Sequence, residues 1–181
     1  LGYRAGEDTL VSMVFAPSSV TVPLNGGEMT VRLVTEYPFR STLRYEILKA
    51  PAGKAKIKIR VPGWCRNMKA ECAGSRIAGE DGFITVEKEF STGDVITAEL
   101  PMEVRFTEWP GGGTAVERGP LVYGLAMQER WEVFRETCGV KDWCIYPESP
   151  WNYALQPESE VKVSEQPLSS VPFSRSHPPV V

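Results

Sequence analysis

Glycine and proline interrupt this chain so often that little room is left for long helices. The 181 residues include 16 Gly and 15 Pro, roughly one break in every six positions, which argues for short elements joined by turns. Proline removes a backbone donor and glycine adds backbone entropy to be lost on folding, so both shorten regular elements. Between the breaks the chain alternates. Ala55-Lys-Ile-Lys-Ile-Arg-Val61 sets apolar residues at 55, 57, 59 and 61 with cations between them. That period of two describes a strand with one buried and one wet face.

Other segments repeat the pattern. Leu10–Phe15 is a short β-rich run ended by Pro17. Met29, Val31 and Leu33 alternate with Thr30 and Arg32. Leu43, Tyr45 and Ile47 alternate with Thr42, Arg44 and Glu46. Phe83–Phe90 and Val95–Leu100 follow, parted by the turn-forming Ser91-Thr-Gly-Asp94. Leu24-Asn-Gly-Gly-Glu28 reads as a hairpin loop, because Asn-Gly accepts positive φ. Thr114–Arg118 and Leu121–Leu125 read as strands, and Glu129–Glu136 as a short helix or an irregular charged loop. From Gln156 onward the chain is Ser- and Pro-rich, extended, and packs little core of its own, until Pro178-Pro-Val-Val181 resembles the start of a strand. Short strands with frequent turns predict a sandwich rather than βαβ units. Trp109-Pro-Gly-Gly-Gly113 is the candidate boundary, as a hinge or a tight crossing between sheets.

Composition narrows the chemistry. The net charge is -3 and the pI about 5.4, so no basic surplus is available to neutralise phosphates and no nucleic-acid partner is expected. No apolar run approaches the ~20 residues of a membrane helix. The first residues lack a basic region followed by an apolar stretch, so no signal peptide is read there. The missing initial Met leads to the expectation of a segment cut from something longer. The single His lies in the Pro-rich tail, which argues against His-based metal sites and Ser-His-Asp triads. Cys65, Cys72, Cys138 and Cys144 have no Cys-x-x-Cys spacing. Free, buried or half-buried thiols are favoured over a disulfide such as Cys65–Cys72 or Cys138–Cys144, and over a zinc site.

Two sets of residues offer chemistry. The candidate glycosidase-like carboxyl pairs are Glu7/Asp8, Glu80/Asp81, Glu129/Glu132 and Glu158/Glu160. Two carboxyls must face each other across ~5–10 Å for such work. Sequence neighbours on a strand point to opposite faces, so no catalytic pair is expected among them. The aromatics are Trp64, Trp109, Trp131, Trp143 and Trp151, with Tyr146 and Tyr153. Such rings either plug cores and seams or, when exposed, stack on sugar rings. Trp151-Asn152-Tyr153, with Trp109, is the candidate carbohydrate platform, because Asn152 offers hydrogen bonds beside stacking faces. Lys54, Lys56, Lys58 and Arg60 form one basic strand face, read as solvated rather than as an anion site.

Several segments carry a family resemblance. They are Leu10-Val-Ser-Met-Val-Phe-Ala-Pro-Ser18, Thr35-Glu-Tyr-Pro-Phe39, Ile57-Lys-Ile-Arg-Val-Pro-Gly-Trp-Cys65, Gly93-Asp94 with Leu100-Pro-Met102, and Ala115-Val-Glu-Arg-Gly-Pro-Leu-Val-Tyr123. Asp142-Trp-Cys-Ile-Tyr-Pro147 and Ser149-Pro-Trp-Asn-Tyr-Ala-Leu155 extend the set. In these segments and their order the chain resembles the C-terminal β-rich part of the bacterial DUF1680, or glycoside hydrolase family 127-like, proteins, which include β-L-arabinofuranosidases. The resemblance implies a division of labour. An (α/α)6 barrel, expected to be absent from this chain, would carry the active site with a zinc-bound cysteine nucleophile and an acidic partner. Nothing here matches that catalytic cluster, so no catalytic or metal residue is assigned, and Cys65 is read as structural.

The expectation is therefore an all-β chain with an antiparallel, jelly-roll-like sandwich at residues 1–108. A second β-rich domain, partly extended and truncated, would occupy 109–181. Its role would be that of a non-catalytic accessory region bracing its own barrel and shaping the cleft or an oligomer contact. The alternatives are a carbohydrate-binding module and, last, a self-standing hydrolase. No cofactor is expected in the fragment, zinc belonging to the barrel. An oligosaccharide and a homodimer are the further expected partners, with no membrane. A periplasmic or secreted parent follows from the resemblance alone.

Overall fold

The computed structural model describes residues 2–156, 160–171 and 177–181, with the backbone alone at Arg4. Its regular elements among these residues are fifteen β-strands. The chain forms two compact units. The first comprises Leu1–Glu103, Gly119–Leu121 and Val163–Val181, and the second Val104–Arg118 and Val122–Lys162. The sequence places its division at 108/109. The triple glycine there is the turn of a hairpin, with Trp109 paired to Gly113 and positive φ at Gly111 and Gly112.

In the first unit, β1 (Tyr3–Ala5), β2 (Thr9–Ser12), β6 (Lys54–Arg60), β9 (Phe83–Glu89) and β8 (Arg76–Glu80) form one sheet in the order β1-β2-β6-β9-β8. The second sheet contains β3 (Ser18–Leu24), β4 (Gly27–Thr35), β5 (Thr42–Lys49), β10 (Val95–Glu99) and β7 (Lys69–Glu71), ordered β3-β4-β5-β10-β7. Alternation places Ile57, Ile59 and Val86 of the first sheet in one buried cluster with Met29, Val31, Leu33, Leu43, Ile47 and Ile96 of the second. This is the expected β-sandwich. Each such aliphatic side chain stabilises the fold by about 1.5–3 kcal/mol relative to exposure. The sheets also meet through a polar contact: Ser12 on β2 and Tyr45 on β5 share a buried hydrogen bond of 2.9 Å. Burial drives the Tyr45 phenol well above its ordinary range, so it stays neutral.

Two local details follow from residue type. The β3–β4 turn uses Asn25 at φ 51° and Gly26 at φ 70°, the left-handed pair that suits the twist of a two-residue hairpin. Asn25 also donates through Nδ2 to the carbonyls of Ala52 and Lys54. The predicted turn at Ser91–Asp94 is closed by Asp94 N donating to the Ser91 carbonyl and Ser91 N donating to the Asp94 carboxylate.

One pair departs from the antiparallel pattern. Strands β2 and β6 run parallel, Leu10 beside Ile57. Parallel neighbours need a crossover, and here the chain passes through β3, β4 and β5 of the other sheet before β6 forms.

The second unit holds the sheet of β11 (Val104–Trp109), β12 (Gly113–Arg118) and β13 (Leu121–Tyr123), in that order; Leu121 itself is grouped with the first unit. It also holds a hairpin of β14 (Glu129–Thr137) and β15 (Val140–Pro147). The reading of 129–136 as helix or charged loop is corrected here. The segment is a strand, because Trp131 and Val133 alternate with Arg130 and Glu132 and find cross-strand neighbours in Ile145, Trp143, Tyr146 and Cys144. The turn is supplied by Cys138 at φ 52° and Gly139 at φ 78°.

Candidate functional site

The expected platform residues all lie in the second unit. Trp109 ends β11, where the glycine turn leaves its ring 56% exposed. Its indole Nε1 donates to Thr107 Oγ1 at 3.2 Å; the two residues share a strand face two positions apart. Trp151, Asn152 and Tyr153 follow β15 in a segment without regular structure, with Trp151 62% and Tyr153 68% exposed and Asn152 exposed between them. The three therefore stand together by sequence, while Trp109 sits on a separate hairpin. Open ring faces of this kind can stack on the C–H faces of a sugar.

Three of the candidate carboxyls, Asp8, Glu129 and Glu132, are engaged by neighbouring side chains. Asp8 accepts from Lys56 Nζ at 2.8 Å and from Thr9 Oγ1 at 2.6 Å, which holds its carboxyl below the usual range. Glu80 ends β8 and Asp81 occupies the following turn at φ 50°. Register puts Glu129 and Glu132 on opposite faces of the β14–β15 hairpin. Glu129 accepts from the Trp131 indole at 2.9 Å, and Glu132 is paired with Arg130. Glu158 lies outside the described residues.

Further carboxyls are displaced downward too, each chiefly by hydrogen bonding to a cation: Glu28 by Lys49, Glu46 by Arg32, Asp94 by Lys88 and Glu117 by Arg105. A glycosidase general acid requires the opposite, a carboxyl raised by burial or a like charge.

The cysteines are free thiols. Burial pushes both the Cys65 and Cys72 thiols up, away from the thiolate that acts as nucleophile or metal ligand. Among the described residues no three His, Cys, Asp or Glu side chains gather around one point. The described residues thus do not offer the donor set that a zinc ion would need; the resemblance assigns that zinc to the barrel.

The basic strand face lies on the outward side of β6, and the structure interleaves it with acids. Lys54 pairs across the ladder with Glu89 and Lys56 with Glu87. Arg60 Nε donates to the Met13 carbonyl at 2.8 Å. A shallow groove of ≈ 340 Å³ runs there, lined by Lys56, Lys58, Arg76, Thr85 and Glu87 among others. Its mixed charges favour a solvated face over an anion site.

The structure brings together two aromatics that the sequence names but does not pair. Trp131 and Trp143 meet edge to face on the β14–β15 hairpin, ring centroids 6.0 Å apart and 71° between planes. The signal was present: two alternating runs, Trp131-x-Val133 and Trp143-x-Ile145, flank a Cys-Gly turn.

The middle-domain model of the GH127 β-L-arabinofuranosidases matches residues 9–102. Among solved structures, the chain is similar to a GH127 β-L-arabinofuranosidase from Geobacillus stearothermophilus T6. The TM-score is 0.60 at 22% identity, over 88% of this chain and 30% of that one. A protein described as a glycoside hydrolase gives 0.58 at 19% identity, over 86% and 31%. A GH127 β-arabinofuranosidase gives 0.61 at 18% identity, over 81% and 29%. At these identities the likeness is one of fold. The chain spans about 30% of the length of these relatives. No curated protein matches it.

Proposed function

Because the chain belongs to the GH127 middle-domain family, we propose that it is a non-catalytic β-sandwich portion of a larger glycoside hydrolase, one that braces a separate catalytic barrel. The observation that carries this reading is the family match over 9–102. Three features support it. The displaced carboxyls are held ionised by cations, the Cys65 thiol is raised by burial, and large apolar side chains such as Phe134, Trp143 and Val122 stand open to solvent. Exposed apolar surface is what a domain shows when the layer it packs against is taken away. The parent's substrate on this reading is a β-L-arabinofuranoside, cleaved in the barrel and not here.

The test is an assay of the 181-residue chain on nitrophenyl arabinofuranosides, with and without zinc. Blank-level rates are expected under both conditions. Turnover above blank would show that this part carries its own catalytic centre and end the accessory reading.

A second reading has one observation in its favour, the open rings of Trp151 and Tyr153. With Asn152 and Trp109 they would make a carbohydrate-binding platform. Titration with arabinose-containing oligosaccharides should then change the Trp fluorescence, and Trp151→Ala should remove the change. No response at millimolar sugar excludes the platform and leaves bracing alone.

A further inference from the structure

The β14–β15 hairpin has two unlike faces. Its register sets Trp131 opposite Ile145 and Val133 opposite Trp143, so these four side chains share one face. Glu136 and Lys141 form the next pair on the same side, and Lys141 Nζ lies 5.9 Å from the Trp143 ring centre. Glu129 closes the other end and accepts the Trp131 indole proton, so this ring can be buried with its donor satisfied. The face thus has an apolar centre and a polar rim, the anatomy of an interface.

The opposite face is charged and internally paired. Arg130 is ion-paired with Glu132 and with Glu148, the latter at 3.3 Å, and its guanidinium lies 4.8 Å from the Tyr146 ring centre. Arg135 reaches Asp142 at 2.9 Å. That face suits water. The apolar face does not, yet Trp131, Val133, Trp143 and Ile145 are each about half exposed.

Two strands alone are marginal in water. No described residue of the second unit is fully buried, so the unit has no core of its own with which to hold the hairpin. A layer packed over the apolar side would stabilise the hairpin and leave the charged side wet. The solved relatives are about three times as long as this chain, and a polypeptide of that length would hold the covering material itself.

We propose that the Trp131–Val133–Trp143–Ile145 face is a docking surface for an apolar segment of the same polypeptide that lies outside residues 1–181. The proposal rests on reading the chain as part of a longer glycoside hydrolase. The occupant packs flat on this face as a second layer, with the two Trp rings as its anchors, since Trp dominates the buried centres of interfaces.

Hydroxyl-radical footprinting read by mass spectrometry tests this, applied to the 181-residue chain and to the longer gene product. Trp131 and Trp143 should label as exposed rings in the short chain at every protein concentration. In the longer protein their labelling should fall about tenfold, as for a dry interface centre, while Tyr146 on the wet face keeps its rate. Equal labelling of the two Trp in both proteins overturns the proposal. Protection in the short chain overturns it as well: if it grows with concentration the occupant is a second copy, and if it does not the chain covers the face itself.

A second arm uses Val133→Lys and Ile145→Lys. Both should lower the thermal midpoint of the longer protein and leave the unfolding of the first unit in the short chain unchanged. An unchanged midpoint in the longer protein counts against docking. Arabinofuranosidase assay of the longer protein reports separately on the functional reading, so an inactive protein with a protected face would sink that reading and keep this one.

Discussion

Asn25 illustrates how one side chain fixes a junction. It holds a left-handed backbone at φ 51° and ties the β3–β4 turn to the strand entry at Ala52 and Lys54. Asn25→Gly keeps the backbone conformation and loses the side-chain bonds, for an expected loss of about 1 kcal/mol. Asn25→Ala should lose about 1 kcal/mol more, because a Cβ is disfavoured in the left-handed region. Urea unfolding of the three proteins checks the order, and an alanine variant no worse than glycine would contradict it. Asp94 makes a pH prediction at the same scale. Its carboxyl is held below the ordinary range by Lys88 Nζ at 2.8 Å and by the Ser91 amide. A depressed carboxyl contributes stability above the ordinary value near 3.9, and the contribution is lost as pH falls through the depressed value. The urea midpoint should therefore drop below about pH 4, and less steeply in Asp94→Asn. Equal acid slopes would remove Asp94 from the account. The partner Lys88 is raised by the same bond, so its share is present below the ordinary lysine value and fades only as pH rises through its raised one.

At the scale of elements, position within a sheet decides what a strand is worth. Strand β6 lies third of five and β8 at the edge. Ile57 on β6 is fully buried, whereas Ile77 on β8, directly beside Val86, is 40% exposed. Ile57→Ala should cost about 2–5 kcal/mol, and Ile77→Ala under about 1 kcal/mol; chemical denaturation of both variants measures the gap. The same contrast explains what was legible beforehand. Strand β6 was plain in the sequence because its alternation matches a face buried against a core. Strand β8 carries no such mark, since every residue of it is exposed. The parallel pairing of β2 with β6 is set by partners far apart in the chain, which no local pattern records. Strand β14 is masked in the sequence because the charged Arg130, Glu132 and Glu136 dilute its alternation, and Trp131 and Val133 find their cross-strand neighbours only in β15. The candidate site was legible to the same degree: the exposed aromatics could be named from sequence, but the face that unites Trp131 with Trp143 needed the register.

At the scale of the whole molecule, the two units are stabilised by different means, and their dynamics should differ accordingly. The first has the buried cluster of both sheets. The second has strand pairing and ion pairs but no fully buried described residue. The C-terminal stretch belongs with the first unit, which regains the chain at Val163. Ser164 and Val181 exchange backbone hydrogen bonds of 2.6 and 2.9 Å, and Val180 is buried. Arg40 fastens this stretch, donating to the Gln166 carbonyl at 2.6 Å and lying 3.4 Å from the Glu165 carboxylate. Opening free energy follows local burial, from near zero at exposed pairs to the global value in a core. Amides of β4, β5 and β6 should thus exchange slowest, and those of β14 and β15 at least about tenfold faster. Ser164 and Val181 should fall between them, held by two hydrogen bonds and one buried valine. Arg40→Ala should speed exchange at Ser164, Gln166 and Val181 without touching β6. If β14 proved as protected as β6 in the 181-residue chain, the second unit would have to possess a core that its half-exposed tryptophans do not supply. If Arg40→Ala sped exchange everywhere, the C-terminal stretch would be part of the global folding unit rather than a fastening laid onto it.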